Sequence, residues 1–233
     1  MDTVLFGGLG FLILCGICFL TIRFIDGSSL KDTNKRLFNY AVLGTLIIAT
    51  ILILSISSVF TINQISKSNN EKAAKIYNDW ISQEIETKEG QIISDQLFDK
   101  LVNSFKRSGY TKVALLNQAS SFARLGEYSK SLENFKLLIE ITDGFGGNDL
   151  FNKIARVNAA RLLYAEENYD SAIQMLEKYS SSSSPMIHEL TGDILRKQQK
   201  IQLAKEQYLL AKEQYSDETS ISIVAMKISN LSL

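Results

Sequence analysis

Two long stretches without a charge constrain this chain more than anything else in it. Thr3 to Ile22 is twenty residues long and holds twelve Leu, Ile, Val or Phe. Leu37 to Ser66 is thirty long, and Val42 to Ile62 within it carries thirteen of the same types. A helix needs about 20 such residues to cross ~30 Å of hydrocarbon. At roughly −0.3 to −0.6 kcal/mol per strongly apolar residue, each stretch gains about −5 kcal/mol on insertion. A core helix of that length would normally carry a polar stripe, and neither stretch has one. Two membrane spans are expected.

A cleaved signal peptide is the rival for the first stretch. It would need a basic start and a small-residue cleavage site. Met1-Asp2-Thr3 and Arg23-Phe24-Ile25-Asp26 stand there instead, so a retained span is expected. Arg23, Lys31, Lys35 and Arg36 mark the connection between the spans, against Lys67, Lys72 and Lys75 beyond the second. The positive-inside rule then puts the connection in the cytoplasm and both termini outside. In a Gram-negative bacterium outside means the periplasm. Ala41, Thr45 and Ala49 form a small-residue row of the kind that lets membrane helices approach. Cys15 and Cys18 have C-x-x-C spacing but sit mid-span, where a thiolate would be desolvated, so they read as packing residues.

The expected divisions are a first transmembrane helix over 1–25, a cytoplasmic loop over 26–38 and a second transmembrane helix over 39–63. A helical lead-in follows over 64–109, then a repeat domain over 110–233. Within the lead-in, Ala73, Ile76, Tyr77, Trp80, Ile81 and Ile85 recur at helical spacing. That helix either starts at Asn69 or Asn70 or continues the second span outward, and Glu89-Gly90 is expected to break it. Ser94 is expected to cap the next helix, with Leu97, Phe98, Leu101, Val102 and Phe105 on one face and Gly109 at its end.

From Thr111 the chain becomes self-similar. Ala119, Ala160 and Gly192 each lie three residues before a large apolar residue (Phe122, Leu163, Leu195) and twelve before a second small one (Ser131, Ala172, Ala204). Small residues on both helices of a pair let them touch, and bulky ones fill the groove to the next pair. The arrangement resembles the tetratricopeptide repeat, whose period is about 34 residues. Here the offsets are 41 (131 to 172) and 32 (172 to 204). Asp143 to Asp149 reads as an insertion in the first, and the Ser180 to Ser184 tract with Pro185 as a tightening of the second. Leu115, Arg156 and His188 stand where the repeat usually has Trp, and the second and third units lack the turn glycine that Gly126 supplies to the first. Asp217 to Leu233, with Ile221, Val224, Ile228 and Leu231, reads as the capping helix that a terminal repeat needs. The fold class is therefore all-α: two transmembrane helices, a helical lead-in and a tetratricopeptide-like α-solenoid of about three repeats with a C-terminal capping helix.

No catalytic constellation is visible. His188 is the one imidazole, which leaves triads and the usual zinc spacings without members. Gly144, Gly146 and Gly147 lack the Lys-Ser/Thr of a phosphate loop, so no cofactor and no metal are expected. The charges cancel, 25 Lys+Arg against 25 Asp+Glu, and beyond residue 62 they stand at 21 against 22. A nucleic-acid binder normally has a basic face, so neither nucleic acid nor a small-molecule substrate is expected. Binding of a polypeptide remains. The concave face of such repeats is lined by their first helices. By repeat position that face takes Asn117, Ser120 and Arg124, then Asn158, Arg161 and Tyr164, then Glu189, Asp193 and Arg196. Leu116 stands where repeats that clamp a chain's C-terminal carboxylate carry a polar residue, which argues against that mode.

One span, a helical lead-in, degenerate repeats, the Arg156-Val157-Asn158-Ala159-Ala160-Arg161-Leu162 stretch and the Met226-Lys227-Ile228-Ser229-Asn230-Leu231 tail together resemble the YfgM family. The likeness runs over roughly residues 40 to 233; the additional span Thr3 to Ile22 departs from it. The resemblance implies an inner-membrane protein with periplasmic repeats, an ancillary subunit of the SecYEG translocon. It also implies association with the membrane-anchored periplasmic chaperone PpiD, assisting exported proteins as they emerge. A periplasmic repeat scaffold for envelope assembly or cell division would share the same architecture.

Overall fold

In a computed structural model, the described residues are 33–83, 87–144 and 146–232, without the side chains of 33–39, 41 and 232. The first expected span, its Cys15 and Cys18, and most of the following loop lie outside the described residues. The chain divides into two units, Met1–Glu71 and Lys72–Leu233. All described secondary structure is helical.

In the first unit the described part belongs to α1 (Thr33–Ile81). This is the one described helix long and apolar enough to cross a membrane, with an apolar window of mean hydropathy 2.4, none of which is buried among the described residues. Five of its hydroxyl residues fit that environment because their donors are used within the helix. Thr45, Thr50, Ser55 and Ser58 donate to carbonyls three or four residues back at 2.7–2.8 Å, and Thr61 does so at 2.9 Å. Those five O–H donors are paired inside the helix, where hydrocarbon could not solvate them. The helix passes through Asn69 and Asn70 without a break, so the lead-in continues the apolar helix and neither Asn is a cap.

In the second unit the last turns of α1 bury Ala73 and Ile76 against Leu101 and Ala114, with Tyr77, Trp80, Leu97, Phe98 and Phe105 around them. α2 (Lys88–Ser104) begins well before the expected cap at Ser94. Thr87 caps it instead, its Oγ1 accepting the Gly90 N–H at 3.0 Å, and Gly90 lies in the first turn rather than breaking a helix. Gly109 likewise opens α3 (Gly109–Arg124) instead of closing α2, because Ser108 accepts the Tyr110 N–H. The end of α2 is satisfied by Thr111, whose Oγ1 donates to the Phe105 carbonyl at 2.8 Å.

The three helix pairs follow as α3 with α4 (Tyr128–Thr142), α5 (Asp149–Ala165) with α6 (Tyr169–Leu176), and α7 (Pro185–Lys197) with α8 (Ile201–Gln214). Their small residues interlock as the spacing requires. Ala119, Ser131, Ala160, Ala172 and Ala204 all have zero exposure. The Ser131 hydroxyl donates to the Ala119 carbonyl at 2.7 Å, a contact that only a close helix approach allows. At Gly192 the approach is closer still, since a Cβ there would lie 2.6 Å from two carbons of the Tyr208 ring.

Each pair turns on one geometry. Glu127 N–H bonds to the Phe122 carbonyl and Gly126 N–H to Ala123; Asn168 and Glu167 do the same to Leu163 and Tyr164, and Lys200 and Gln199 to Leu195 and Arg196. These are Schellman turns, which place one residue in the left-handed region. Gly126 takes it at φ 78°, while Glu167 and Gln199 take it at φ 59° and 62°. The missing glycines thus leave the turn intact and strain it.

The insertion is pinned by a polar cluster. Asn152, with zero exposure, donates to the Ile139 carbonyl and the Thr142 hydroxyl, both at 3.1 Å. Asp143 pairs with Arg156 at 3.1 Å and Lys178 at 2.6 Å. Bonds from Lys178 and the Gly144 N–H hold its carboxyl down at about 2. The second offset is short because α6 ends after eight residues in a 3₁₀ turn, Glu177–Tyr179. The serine tract is tied to the third pair, since His188, 3 % exposed, sets its Nε2 2.8 Å from the Ser182 carbonyl. Finally α9 (Glu218–Ser229), capped by Asp217, packs Val224 and Ile228 on Ala204, Tyr208 and Ala211 of α8, joined by Leu231 from the 3₁₀ turn that follows, Asn230–Ser232.

Candidate functional site

The first helices of successive pairs lie side by side, α3 against α5 and α5 against α7. Ridges of residues at i and i+3 or i+4 on each therefore form one face. Asn117, Ser120 and Arg124 come from α3, Asn158, Arg161 and Tyr164 from α5, and Glu189, Asp193 and Arg196 from α7. Each set holds its register because Ala119, Ala160 and Gly192, on the opposite side of the same turns, are locked into the second helices.

The chain's own helices occupy the two ends of that face. At one end, Asn117 Nδ2 donates to the Tyr77 hydroxyl of α1 at 3.2 Å. At the other, Lys227 of α9 reaches Glu189 Oε1 at 2.6 Å and Asp193 Oδ2 at 2.7 Å. The remaining oxygens are filled too: Tyr215 donates to Glu189 Oε2 at 2.6 Å and Tyr208 to Asp193 Oδ1 at 2.7 Å. Burial pushes the Glu189 carboxyl up, but the bonds from Lys227 and Tyr215 outweigh it and hold it below its ordinary value. Burial also pushes the Lys227 ammonium down, and its two carboxylate partners more than restore it. Tyr208 and Tyr215 are driven up by burial and by donating to carboxylates, so both hydroxyls stay protonated donors.

The middle of the face is open. Ser120 and Asn158 spend a donor on their own helix, at the Leu116 and Ile154 carbonyls. Arg124 and Arg161 are exposed, and Arg161 touches Met186 Sδ at 3.1 Å. The half-buried Tyr164 ring packs at 5.8 Å against Tyr169. The Nε of Arg196 is buried with no hydrogen-bond partner. An array of amide, phenol and guanidinium groups on rigid helices can hold an extended or helical polypeptide through backbone and side-chain bonds.

Sequence reasoning did not foresee Tyr77, Lys227, Tyr208 or Tyr215 in this site. The available signal was the acidic i, i+4 pair Glu189 and Asp193 facing inward beside an amphipathic last helix with one central Lys. Among the described residues, no group of three or more His, Cys, Asp or Glu could hold a metal ion.

A family model described as a tetratricopeptide repeat-like domain matches residues 38–233. No curated protein matches the chain.

Proposed function

The chain belongs to the tetratricopeptide repeat-like family, and from that premise we propose that it is a non-enzymatic interaction subunit, anchored in a bacterial inner membrane, that works at the site of protein export. Its repeat domain stands in the periplasm, associates with the SecYEG translocon and a PpiD-like anchored chaperone, and assists polypeptides as they emerge. The observation that carries the reading is the open middle of the inner face, where Asn158, Arg161 and Tyr164 are presented by a helix wedged between its neighbours. Such a face recognises chains by position-specific side-chain contacts.

The anchor supports the location. α1 supplies a long apolar helix, and its basic neighbours Lys35 and Arg36 precede the apolar run, as the positive-inside rule asks of a cytoplasmic end. With a second span before it, the two-pass protein has its N-terminus and its repeats on the periplasmic side. The partner assignment rests on the YfgM-type likeness of the Arg156–Leu162 stretch and the tail.

Co-purification from native membranes in mild detergent tests the proposal. Translocon or chaperone subunits should be enriched with the tagged chain over an unrelated membrane control. Enrichment of cell-division or envelope-assembly proteins in their place would move the repeats to the scaffold reading and defeat the export one.

A further inference from the structure

We infer that the open middle of the inner face receives an acidic polypeptide segment, and that Lys227 strengthens this preference from the capping helix by offsetting one of the two negative charges of Glu189 and Asp193 and occupying an oxygen of each. The inference rests on the reading of the inner face as a binding surface and adds the chemistry of what binds.

The argument is one of unspent charge. The inner face carries two carboxylates, Glu189 and Asp193, and three guanidinium groups, Arg124, Arg161 and Arg196. All four carboxylate oxygens already accept a donor from within the chain, two from Lys227 and one each from Tyr208 and Tyr215. A basic partner would have to compete with those donors for the carboxylates' remaining lone pairs. The arginines are in the opposite condition. Among the described residues, the ion pairs involve Lys130, Arg156, Lys178 and Lys227, and none involves Arg124, Arg161 or Arg196. Arg161 hydrogen-bonds to a thioether sulfur, a weak acceptor, and although its charge is felt at Glu189 it makes no ion pair there. Arg196 likewise makes no ion pair among the described residues, and its Nε–H is buried without an acceptor.

A guanidinium is planar, weakly hydrated and matched to a carboxylate fork. With Lys227 docked, the free groups of the face are cations flanked by Asn158 and Tyr164. That array suits Asp or Glu side chains on a peptide whose backbone meets the amide and phenol. A nucleic acid would need many more phosphate contacts than these, and the chain's 25 acidic residues against 25 basic leave it no net attraction for a polyanion.

The test uses the purified full chain in detergent micelles and labelled peptides of equal length on one apolar framework, carrying Glu, Gln or Lys at the variable positions. Fluorescence anisotropy should show the Glu peptide binding about tenfold more tightly than the Gln peptide, and the Lys peptide weakest. Raising salt from about 0.1 M to about 1 M, which shortens the screening length from ~10 to ~3 Å, should erase the preference. Arg161→Glu should lower affinity for the Glu peptide about tenfold. Lys227→Met, which uncovers both carboxylates, should lower it comparably, Lys227→Arg should restore it, and Lys136→Met on the exposed outer side of α4 should leave it unchanged. Circular dichroism of each variant identifies any loss that comes from unfolding, and the Lys227→Arg rescue keeps the outcome decisive. Equal binding of all three peptides, lost on Tyr164→Ala, would overturn the charge assignment and leave the binding surface standing. Binding of no peptide would overturn both. Equally tight binding of an oligothymidylate would also overturn the inference, because a polyanion would then satisfy the same arginines.

Discussion

Gly192→Ala probes the helix interlock on which the whole repeat domain depends. A Cβ added there meets two Tyr208 ring carbons at 2.6 Å, whereas carbon atoms rest at about 3.5–4.0 Å. Relief needs a shift of about 1 Å by the ring or the helix. The ring is not free to move, because Tyr208 has zero exposure and its hydroxyl is tied to Asp193 at 2.7 Å. Overpacking of this kind costs about 1–3 kcal/mol, and loosening the Tyr208–Asp193 bond costs about 1 more. Replacing a mid-helix glycine by alanine returns about 1 kcal/mol. The net is a loss of about 2 kcal/mol. At about 2–4 °C per kcal/mol for a domain of this size, the melting temperature followed by circular dichroism should fall about 4–8 °C. In a Tyr208→Leu background the clash is gone, so the same substitution should stabilise by about 1 kcal/mol, a change of sign that only direct contact produces. Gly109→Ala, with nothing within 4 Å of the added Cβ, is the control that should not destabilise. A Gly192→Ala protein as stable as its parent in both backgrounds would refute the interlock.

Lys227→Met should destabilise by about 1–3 kcal/mol by leaving two partly buried carboxylates without their cation. The pH dependence has a definite sign. Because Glu189 is held below its ordinary 4.5 in the folded state, its contribution is present above that value and lost as pH falls through the lowered one. Acid melts of the parent should therefore steepen below about pH 4.5, and the variant should show a shallower loss there. Asp143, drawn from 3.8 to about 2, adds a contribution lost between those two values, which Asp143→Asn should remove. Glu167→Gly and Gln199→Gly should each stabilise by about 0.5–1 kcal/mol, since both residues sit at positive φ, whereas Gly126→Ala should destabilise by a similar amount. Asn152→Ala, which empties a fully buried amide site and leaves the Thr142 and Ile139 groups short of a partner, should cost about 2 kcal/mol in the same melts.

The repeat register was legible from single residues. Ala119, Ala160 and Gly192, paired with Ser131, Ala172 and Ala204, carry the offsets of 41 and 32 in their spacing alone, because a close helix crossing tolerates nothing larger. Helix starts were harder. Ser94 and Gly109 are ordinary start and stop signals, but Thr87 and Ser108 were nearer to a free N–H and took the caps. Glu167 and Gln199 show why an absent glycine did not signal an absent turn: packing on both sides holds the left-handed residue in place. The site was legible only in part. The helices bearing Asn117, Asn158 and Glu189 follow from the repeat, but the Tyr77–Asn117 and Lys227–Glu189 bonds join residues 40 and 38 positions apart. No local pattern encodes such contacts, and they decide which part of the inner face stays open.

The central claim is that export-site proteins meet the open middle of this inner face. Site-specific photocrosslinking in living cells tests it most directly, with the photoreactive residue placed at Asn158 or, on the exposed side of α4, at Lys136. Translocon or anchored-chaperone subunits should be captured from position 158 and not from 136. Capture of the same proteins equally from both positions, or from 136 alone, would contradict it.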